Sequence, residues 1–170
     1  MRKHGYFVKK SKCEFGRREI DWVGHRLLEN GITVQKNKTK VIEEWKRPTT
    51  ITELRSFLGM INYYHKFIPR MAILAGPLNE LLRKDVEWRW GSLEEDSFND
   101  LKRAVTTAPV LCIPDTTWSF TVQVDASNTA IGAVLLQDEH PVGFMSRRLT
   151  DAERNYSAYD QEALAVVTAL

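Results

Sequence analysis

Two carboxylates in the second half of the chain, Asp125 and Glu162, have the chemistry to bind a cation. Asp125 closes a segment in which apolar and polar residues alternate, so we expect it on the polar face at the end of a strand. Glu162 lies within a helical pattern and flanks its apolar stripe, from which a helix lying on the sheet would aim it toward Asp125. Each residue alone also fits an ordinary role, a strand-end turn residue for Asp125 and a surface glutamate for Glu162.

A different set of polar residues shares one face of the helix predicted over 49–69. The set combines two cations, a glycine, an amide and a tyrosine: Arg55, Gly59, Asn62, Tyr63 and Lys66. A glycine in mid-helix costs about 1 kcal/mol relative to alanine, unless another molecule must approach the backbone there. The neighbouring arginine and tyrosine favour nucleic acid as that molecule. A solvated surface is the alternative interpretation.

The opposite face of the same helix is an apolar stripe that must pack against the rest of the protein. Its members recur at intervals of three and four residues: Leu54, Phe57, Leu58, Ile61, Tyr64 and Ile68. Thr50 and Glu53 form a T-x-x-E capping box at the start, and Pro69 forbids continuation of the helix.

Shorter elements are predicted on both sides of this helix. Residues 12–34 contain β-prone segments separated at Asn30-Gly31, which is a strong tight-turn signal and predicts a hairpin. A short basic helix is expected over 35–47. Ser92 and Glu95 form a second capping box, which opens a helix to about residue 107. Its expected inward residues are Leu93, Phe98, Leu101 and Val105.

The last third of the chain predicts an antiparallel meander followed by a helix. Strands are expected at 118–125, 131–137 and 141–146, where the hydrophobic period changes from helical to two. A helix is expected over 156–170. Its predicted apolar stripe consists of Tyr159, Ala163, Val166, Val167 and Leu170.

Charge divides the chain into unlike halves, although the net charge is only +2. Residues 1–84 contain 18 basic and 8 acidic side chains, a net +10, and residues 85–170 have a net −8. A basic half of this size suits phosphate attraction, and a solubilising surface is the alternative.

The cysteines and histidines form no zinc-ligand or disulfide pattern. The sequence has no apolar run of membrane-spanning length and no signal peptide pattern, so we expect a soluble intracellular protein.

Motifs along nearly the whole chain, in order, resemble the Pol polyprotein of Gypsy-type long-terminal-repeat retrotransposons. They are K-C-E-F, W-V-G-H, L-R-S-F-L-G-M-I-N-Y-Y-H-K-F-I, A-P-V-L with P-D, V-D-A-S, G-A-V-L-L-Q, S-R-R-L and E-R-N-Y followed by Q-E-A-L-A-V-V. The resemblance implies an α+β fold in three parts. These are the end of the reverse transcriptase palm with a primer-grip hairpin (1–34), the helical thumb with connecting helices (35–108), and the truncated N-terminal part of an RNase H-like domain with its sheet and first helix (109–170).

The resemblance also implies which residues contact nucleic acid. Four consecutive residues match the primer grip, a hairpin that holds the primer 3′ end: Trp22, Val23, Gly24 and His25. Residues of the central helix match or flank the thumb positions that follow the minor groove of the template–primer duplex: Arg55, Gly59, Tyr63 and Lys66. The implied partners are an RNA–DNA hybrid or DNA duplex and the rest of the Pol polyprotein, with no membrane. The implied location is the cytoplasm, in virus-like particles, with the nucleus as a further location and no secretion.

By the same resemblance, Asp125 of V-D-A-S and Glu162 of Q-E-A-L-A match the first two catalytic carboxylates of RNase H. Such enzymes hydrolyse the RNA strand of a hybrid with two Mg²⁺ ions, which are held by hard oxygen ligands. The function implied for the parent polyprotein is RNA-directed DNA synthesis coupled to RNA removal.

The sequence departs from the family pattern in ways that limit its own chemistry. The polymerase signature Y-x-D-D is absent and is expected before Met1, and the later RNase H carboxylates are expected after Leu170. Asp160, Gln161 and Thr168 stand where the family usually has Glu, Lys and Trp. We therefore expect this chain alone to bind metal poorly and to show weak hydrolysis or none.

Two other functions remain open. One is a non-catalytic nucleic-acid-binding remnant, or a host-adopted protein, that keeps the thumb surface and has lost both chemistries. The other is a small helix-turn-helix binder that uses residues 50–68. Gly59 and Tyr63 suit contact with a nucleic-acid backbone better than base readout, which disfavours the second.

Overall fold

The computed structural model describes Gly5 and residues 7–170. Residues 1–4 and 6, which belong to the predicted palm segment, lie outside the described part. The strands and helices, in chain order, are β1 (Ile20–Trp22), β2 (His25–Leu28), β3 (Gly31–Val34), α1 (Lys36–Glu43), α2 (Ile51–Tyr63), α3 (Met71–Leu74), α4 (Gly76–Glu80), α5 (Ser92–Thr106), β4 (Thr121–Ala126), β5 (Ala130–Gln137), β6 (His140–Arg148) and α6 (Ala158–Ala169). The α+β class predicted from the sequence is confirmed.

The first sheet is an antiparallel meander of β1, β2 and β3. The predicted hairpin turn is present, since Leu28 pairs with Gly31 across it. A second turn, at Val23 and Gly24, divides the preceding segment into two strands. Both of these residues have positive φ, 45° and 77°, which is the backbone conformation that matches a two-residue turn to the twist of its strands.

Gly31 is required by a close backbone approach. Its φ is not positive, so the turn itself does not demand glycine at this position. A Cβ atom at Gly31 would lie 2.5 Å from Val110 Cγ1 and 2.7 Å from the Leu111 carbonyl oxygen. Ile32 and Leu111 exchange backbone hydrogen bonds of 2.7 and 2.9 Å there, which joins the first sheet to the segment before the second.

Helix α2 is the centre of the larger core. The Thr50 side chain accepts a hydrogen bond from Glu53 N, and the Glu53 carboxylate accepts one from Thr49 N. The helix ends at Tyr63, earlier than predicted, and a 3-10 turn over His65–Phe67 follows. Ile68 is extended because the residue before a proline avoids the helical region. The whole predicted stripe is buried: Leu54, Phe57, Leu58, Ile61, Tyr64 and Ile68.

Helix α5 packs against this core with a start that differs from the prediction. Its N-cap is Gly91, whose N–H donates to the Glu94 carboxylate at 2.9 Å. Glu95 instead accepts a 2.7 Å hydrogen bond from the indole N–H of Trp90. The predicted Ser92 capping box is therefore wrong by one residue. Three of the predicted inward residues are buried, namely Phe98, Leu101 and Val105, whereas Leu93 is 69% exposed.

The second sheet is the predicted antiparallel meander, in the order β4, β5, β6. Its first strand begins at Thr121, so Trp118 and Phe120 lie before it and are exposed. Val124 and Ala126 pack against a small cluster that includes Ile131, Leu149 and Ala165. Helix α6 lies on this face of the sheet.

Helix α6 buries a different face from the predicted one. Tyr159 is 80% exposed and Val167 74% exposed, whereas Gln161 and Ala165 are buried. The Gln161 amide donates to the carbonyls of Glu153 and Arg154, at 3.3 and 3.4 Å, so the buried amide nitrogen has hydrogen-bond partners. The prediction failed because apolar residues occur on nearly every side of this helix, so hydrophobicity alone did not select a face.

The second sheet is connected to the larger core by polar contacts along β6. Arg148 donates to the Glu80 carboxylate at 2.6 Å, and this hydrogen bond is the main cause of the lowered pKa of Glu80. The Ala72 N–H donates to Ser146 Oγ at 2.8 Å.

Within the described residues, no helix combines the length and apolarity needed to cross a membrane.

Candidate nucleic-acid interface and carboxylate pair

The turn between β1 and β2 is held by two tyrosines at the end of α2. The Tyr63 hydroxyl donates to the Val23 carbonyl, and the Tyr64 hydroxyl donates to the Gly24 carbonyl at 3.1 Å. Val23 is a β-branched residue at positive φ, a conformation that costs about 1–3 kcal/mol and persists only where the surroundings impose it. These hydrogen bonds fix the predicted primer-grip residues against the predicted thumb helix.

His25 lies beneath this turn among aromatic rings. Its ring centroid is 5.2 Å from that of Tyr63 and 5.6 Å from that of Phe67. Its Nδ1 donates to the Val23 carbonyl at 3.1 Å, whereas Nε2 is buried without a hydrogen-bond partner. Burial lowers the pKa of His25, and the nearby charge of Lys66 lowers it further.

The lowered pKa of His25 predicts a pH dependence of stability. The unfolded chain takes up a proton near the ordinary pKa of 6.5, and the folded protein does so only at lower pH. The contribution of His25 to the free energy of unfolding should therefore be constant above about pH 7 and should fall as the pH drops from about 6.5 toward the folded-state pKa. Urea denaturation at pH 8 and pH 5.5 measures the difference.

His25→Phe serves as the control, because phenylalanine can occupy the same aromatic environment without titrating. Glu53 and Glu80 also have lowered pKa values, but their ordinary value of 4.5 places their effect at lower pH. An equal loss of stability in wild type and His25→Phe would contradict the prediction.

A groove of about 530 Å³ lies between α2 and the Val23–Gly24 turn. Its walls come from the turn, from α1 and from one face of α2: Val23, Gly24, Lys38, Ser56, Gly59, Met60, Tyr63 and Tyr64. Sequence analysis missed Lys38, Ser56 and Met60. Ser56 and Met60 precede Gly59 and Tyr63 by three residues each, and this helical spacing was the available signal. Lys38 has no comparable signal, since the approach of α1 to this groove depends on tertiary packing.

Gly59 forms an open floor in this groove. A Cβ atom there would have nothing within 4 Å, so no contact inside the protein requires glycine. Arg55 and Trp22 are exposed but do not line the groove. Lys66 is half-buried, with its ammonium 5.3 Å from the centre of the Phe67 ring. The structure therefore brings Val23, Gly24, Gly59 and Tyr63 together and leaves Arg55 and Lys66 outside the groove lining.

The two carboxylates line one pocket of about 410 Å³ between β4 and α6. Asp125 is on the exposed face of β4, in alternation with Val124 and Ala126, and Glu162 is exposed on α6. Asp125 also borders a second pocket of about 250 Å³, where its Oδ2 accepts a 2.8 Å hydrogen bond from Arg70 Nη2. Arg70 was not among the residues that sequence analysis singled out.

Only part of a metal-ligand set is present. In the described part of the chain, no group of three or more His, Cys, Asp or Glu side chains could hold a metal ion. Asp160, the next carboxylate before Glu162, accepts a hydrogen bond from the Ser157 hydroxyl at 2.7 Å at the start of α6. Asp125 and Glu162 are thus a pair of hard oxygen donors, of which Asp125 accepts a hydrogen bond from Arg70.

Known proteins resemble this chain in sequence. The family model described as an RNase H-like domain found in reverse transcriptase matches residues 90–170. The transposon Tf2-3 and Tf2-4 polyproteins of Schizosaccharomyces pombe are 38% identical over 169 residues, which is 96% of this chain and 13% of each relative. The chain therefore spans about an eighth of the length of these relatives.

Solved structures show the same fold at low sequence identity. The foamy viral protease-reverse transcriptase in complex with double-stranded DNA matches with a TM-score of 0.82 and 20% identity, over 90% of this chain and 28% of that one. The same viral protein in complex with an RNA/DNA hybrid matches with a TM-score of 0.81 and 21% identity, over 90% of this chain and 21% of that one. Residues 90–170 thus match the RNase H-like domain found in reverse transcriptase, and the chain is similar to retrotransposon polyproteins over 96% of its length.

Proposed function

We propose that this segment binds the template–primer duplex during RNA-directed DNA synthesis, through the groove between α2 and the Val23–Gly24 turn. The observation that supports the proposal best is the open floor of the groove at Gly59, beside Tyr63 and the Val23–Gly24 turn. A mid-helix glycine without an internal packing reason suits close approach by an external backbone. In this proposal Trp22 to His25 act as the primer grip, and the division at 34/35 and 108/109 separates palm, thumb and RNase H-like parts.

The shape and charge of the groove suit a duplex better than a protein partner. An RNA–DNA hybrid presents a wide, shallow minor groove that a helix can follow through sugars and phosphates without reading sequence. Lys38 in the groove supplies positive charge for phosphates, together with Arg55 on α2 and Lys66 in the turn that follows α2. The viral proteins of the same fold were solved with double-stranded DNA and with an RNA/DNA hybrid, which supports this class of partner.

We further propose that Asp125 and Glu162 are ligands for Mg²⁺ in RNA-strand hydrolysis. Their oxygen-only donor set fits a hard cation, and both side chains line one pocket. When bound, a pair of such ions activates a water and stabilises the leaving oxygen. Two carboxylates are a weak site, so in this proposal the remaining ligands come from the rest of the polyprotein.

The cytoplasmic and nuclear location of the protein stays a prediction.

A non-catalytic nucleic-acid-binding remnant is the second candidate function. The observation that favours it is the pairing of Asp125 with Arg70, because the guanidinium already neutralises this carboxylate. Both candidates use the same groove. They differ in whether Asp125 binds a divalent cation, which the metal titration described below measures.

Salt-dependent binding of an RNA–DNA hybrid tests the groove. Arg55→Ala should weaken binding and lower the slope of log affinity against log salt by about 1, because one phosphate contact is lost. Combining it with Tyr63→Ala should weaken binding further, since the turn then loses its hydrogen bond from Tyr63. Fluorescence anisotropy over a series of salt concentrations gives both quantities.

Arg89→Ala is the matched control, because Arg89 is an exposed arginine that pairs with Glu87 and lies on neither α2 nor the Val23–Gly24 turn. It removes the same charge and should leave hybrid affinity nearly unchanged. Absence of hybrid binding, or unchanged binding by the Arg55→Ala, Tyr63→Ala variant, would show that the basic half of the chain serves only solubility. Equal weakening by Arg55→Ala and Arg89→Ala would show that overall charge, and not this face of α2, governs binding.

A further inference from the structure

We propose that Arg70 is an exchangeable counter-ion of Asp125, which competes with a divalent cation for this carboxylate and turns to a phosphate of the nucleic acid when the cation binds. This inference rests on the proposed role of Asp125 as a metal ligand. It assigns a function to an arginine that lies outside both the groove of α2 and the carboxylate pocket.

The contact joins two distant parts of the chain. Arg70 Nη2 lies 2.8 Å from Asp125 Oδ2, although 55 residues separate the two in sequence. Both side chains are exposed, 67% for Arg70 and 62% for Asp125. An exposed ion pair of this kind contributes little to folding stability and can exchange partners readily. Its position beside a proposed metal ligand therefore matters more than its strength.

The backbone at Arg70 indicates that the side chain is present for a reason other than local conformation. Arg70 has a φ of +52°, in the left-handed region that glycine and asparagine adopt more easily. The segment is also anchored, because Leu74 N and Ile73 N donate to the Arg70 carbonyl and Ala72 N donates to Ser146 Oγ on β6. This anchored backbone directs the guanidinium to the edge of β4, where Asp125 lies.

Electrostatic repulsion makes a divalent cation and the Arg70 guanidinium compete for Asp125. A divalent cation and a guanidinium both use the lone pairs of the same carboxylate, and their like charges repel at short distance. Cation binding to Asp125 should therefore release Arg70. A guanidinium is a strong bidentate ligand for phosphate, so a hybrid lying over the carboxylates would give the released arginine a new partner. Metal loading and nucleic-acid arrival would then favour one another.

Titration of the full chain with Mn²⁺, followed by the electron paramagnetic resonance signal of the free ion, tests the inference without relying on enzymatic activity. Arg70→Gly removes the guanidinium and relieves the positive φ, so the variant should keep its fold, which circular dichroism checks. We expect Arg70→Gly to bind Mn²⁺ about two- to fivefold more tightly than wild type at low salt, which is the range for losing an exposed ion pair. The difference should shrink as salt is raised.

Two further variants separate the possible results. Arg89→Ala loses the same charge away from Asp125 and should bind Mn²⁺ like wild type, so a gain shared by both arginine variants would overturn the inference. Asp125→Asn should lose affinity. If it does, and Arg70→Gly gains nothing, Asp125 is a metal ligand but Arg70 does not compete for it. If Asp125→Asn binds Mn²⁺ as wild type does, Asp125 holds no ion in this chain and the inference is overturned.

Discussion

Replacing Gly24 with alanine is expected to destabilise the protein by about 2–5 kcal/mol. A residue other than glycine in the left-handed conformation costs about 1–2 kcal/mol, and Gly24 has a φ of +77°. The new Cβ would also lie 2.9 Å from the Tyr64 hydroxyl, on a ring that is almost fully buried and donates to the Gly24 carbonyl. Displacing such a packed neighbour adds about 1–3 kcal/mol. Urea denaturation of wild type and variant measures the sum.

Gly16→Ala is the matched control for the conformational part of this cost. Gly16 has a φ of +62°, but an added Cβ there would have nothing within 4 Å. Its substitution should therefore cost only about 1 kcal/mol, and the reduced freedom of the unfolded chain is the same in both variants. Equal destabilisation by the two substitutions would mean that Tyr64 does not constrain the turn.

Gly59→Leu is expected to raise stability while lowering hybrid affinity. Leucine is a better helix former than glycine by about 0.5–1 kcal/mol, and the groove has space for the side chain in the free protein. The same side chain would occupy the floor on which the duplex backbone is proposed to lie. Repacking around such an obstruction costs about 1–3 kcal/mol, so hybrid affinity should fall about ten- to hundredfold. Thermal denaturation and fluorescence anisotropy measure the two effects separately.

Asn99→Leu provides the comparison for Gly59→Leu, because it adds the same side chain at an exposed position of α5 that does not line the groove. Its hybrid affinity should match that of wild type. Gly59→Ala should lie between glycine and leucine in affinity, since it adds a single methyl group. A Gly59→Leu protein that is stabilised but binds the hybrid normally would exclude the floor of the groove as a contact surface.

Local patterns were sufficient for the elements whose period and caps agreed. The stripe of α2 from Leu54 to Ile68 is buried as predicted, and Thr50 caps the helix. Predictions failed where the local signal was ambiguous. Helix α6 is apolar on nearly every side, and only its packing on β4 and β5 selected the face that contains Gln161 and Ala165.

The candidate site also combines residues that the sequence pointed to with contacts that it could not predict. Residue type and spacing singled out Asp125, Glu162, Gly59 and Tyr63, because a mid-helix glycine and a strand-end carboxylate are visible in the sequence itself. Neither the hydrogen bond from Tyr63 to Val23 nor the pairing of Arg70 with Asp125 could be predicted, since these contacts span 40 and 55 residues.

By itself, the sequence determined the order of elements, the buried face of α2 and the family that the chain resembles, because these follow from periodicity, capping and motif order along a single segment. Tertiary structure alone decided why Gly31 is glycine, which face α6 buries and which cation faces Asp125. These features depend on where the backbone of Leu111, the sheet under α6 and the guanidinium of Arg70 come to lie. Such positions are set by the packing of the whole chain, which no local pattern specifies.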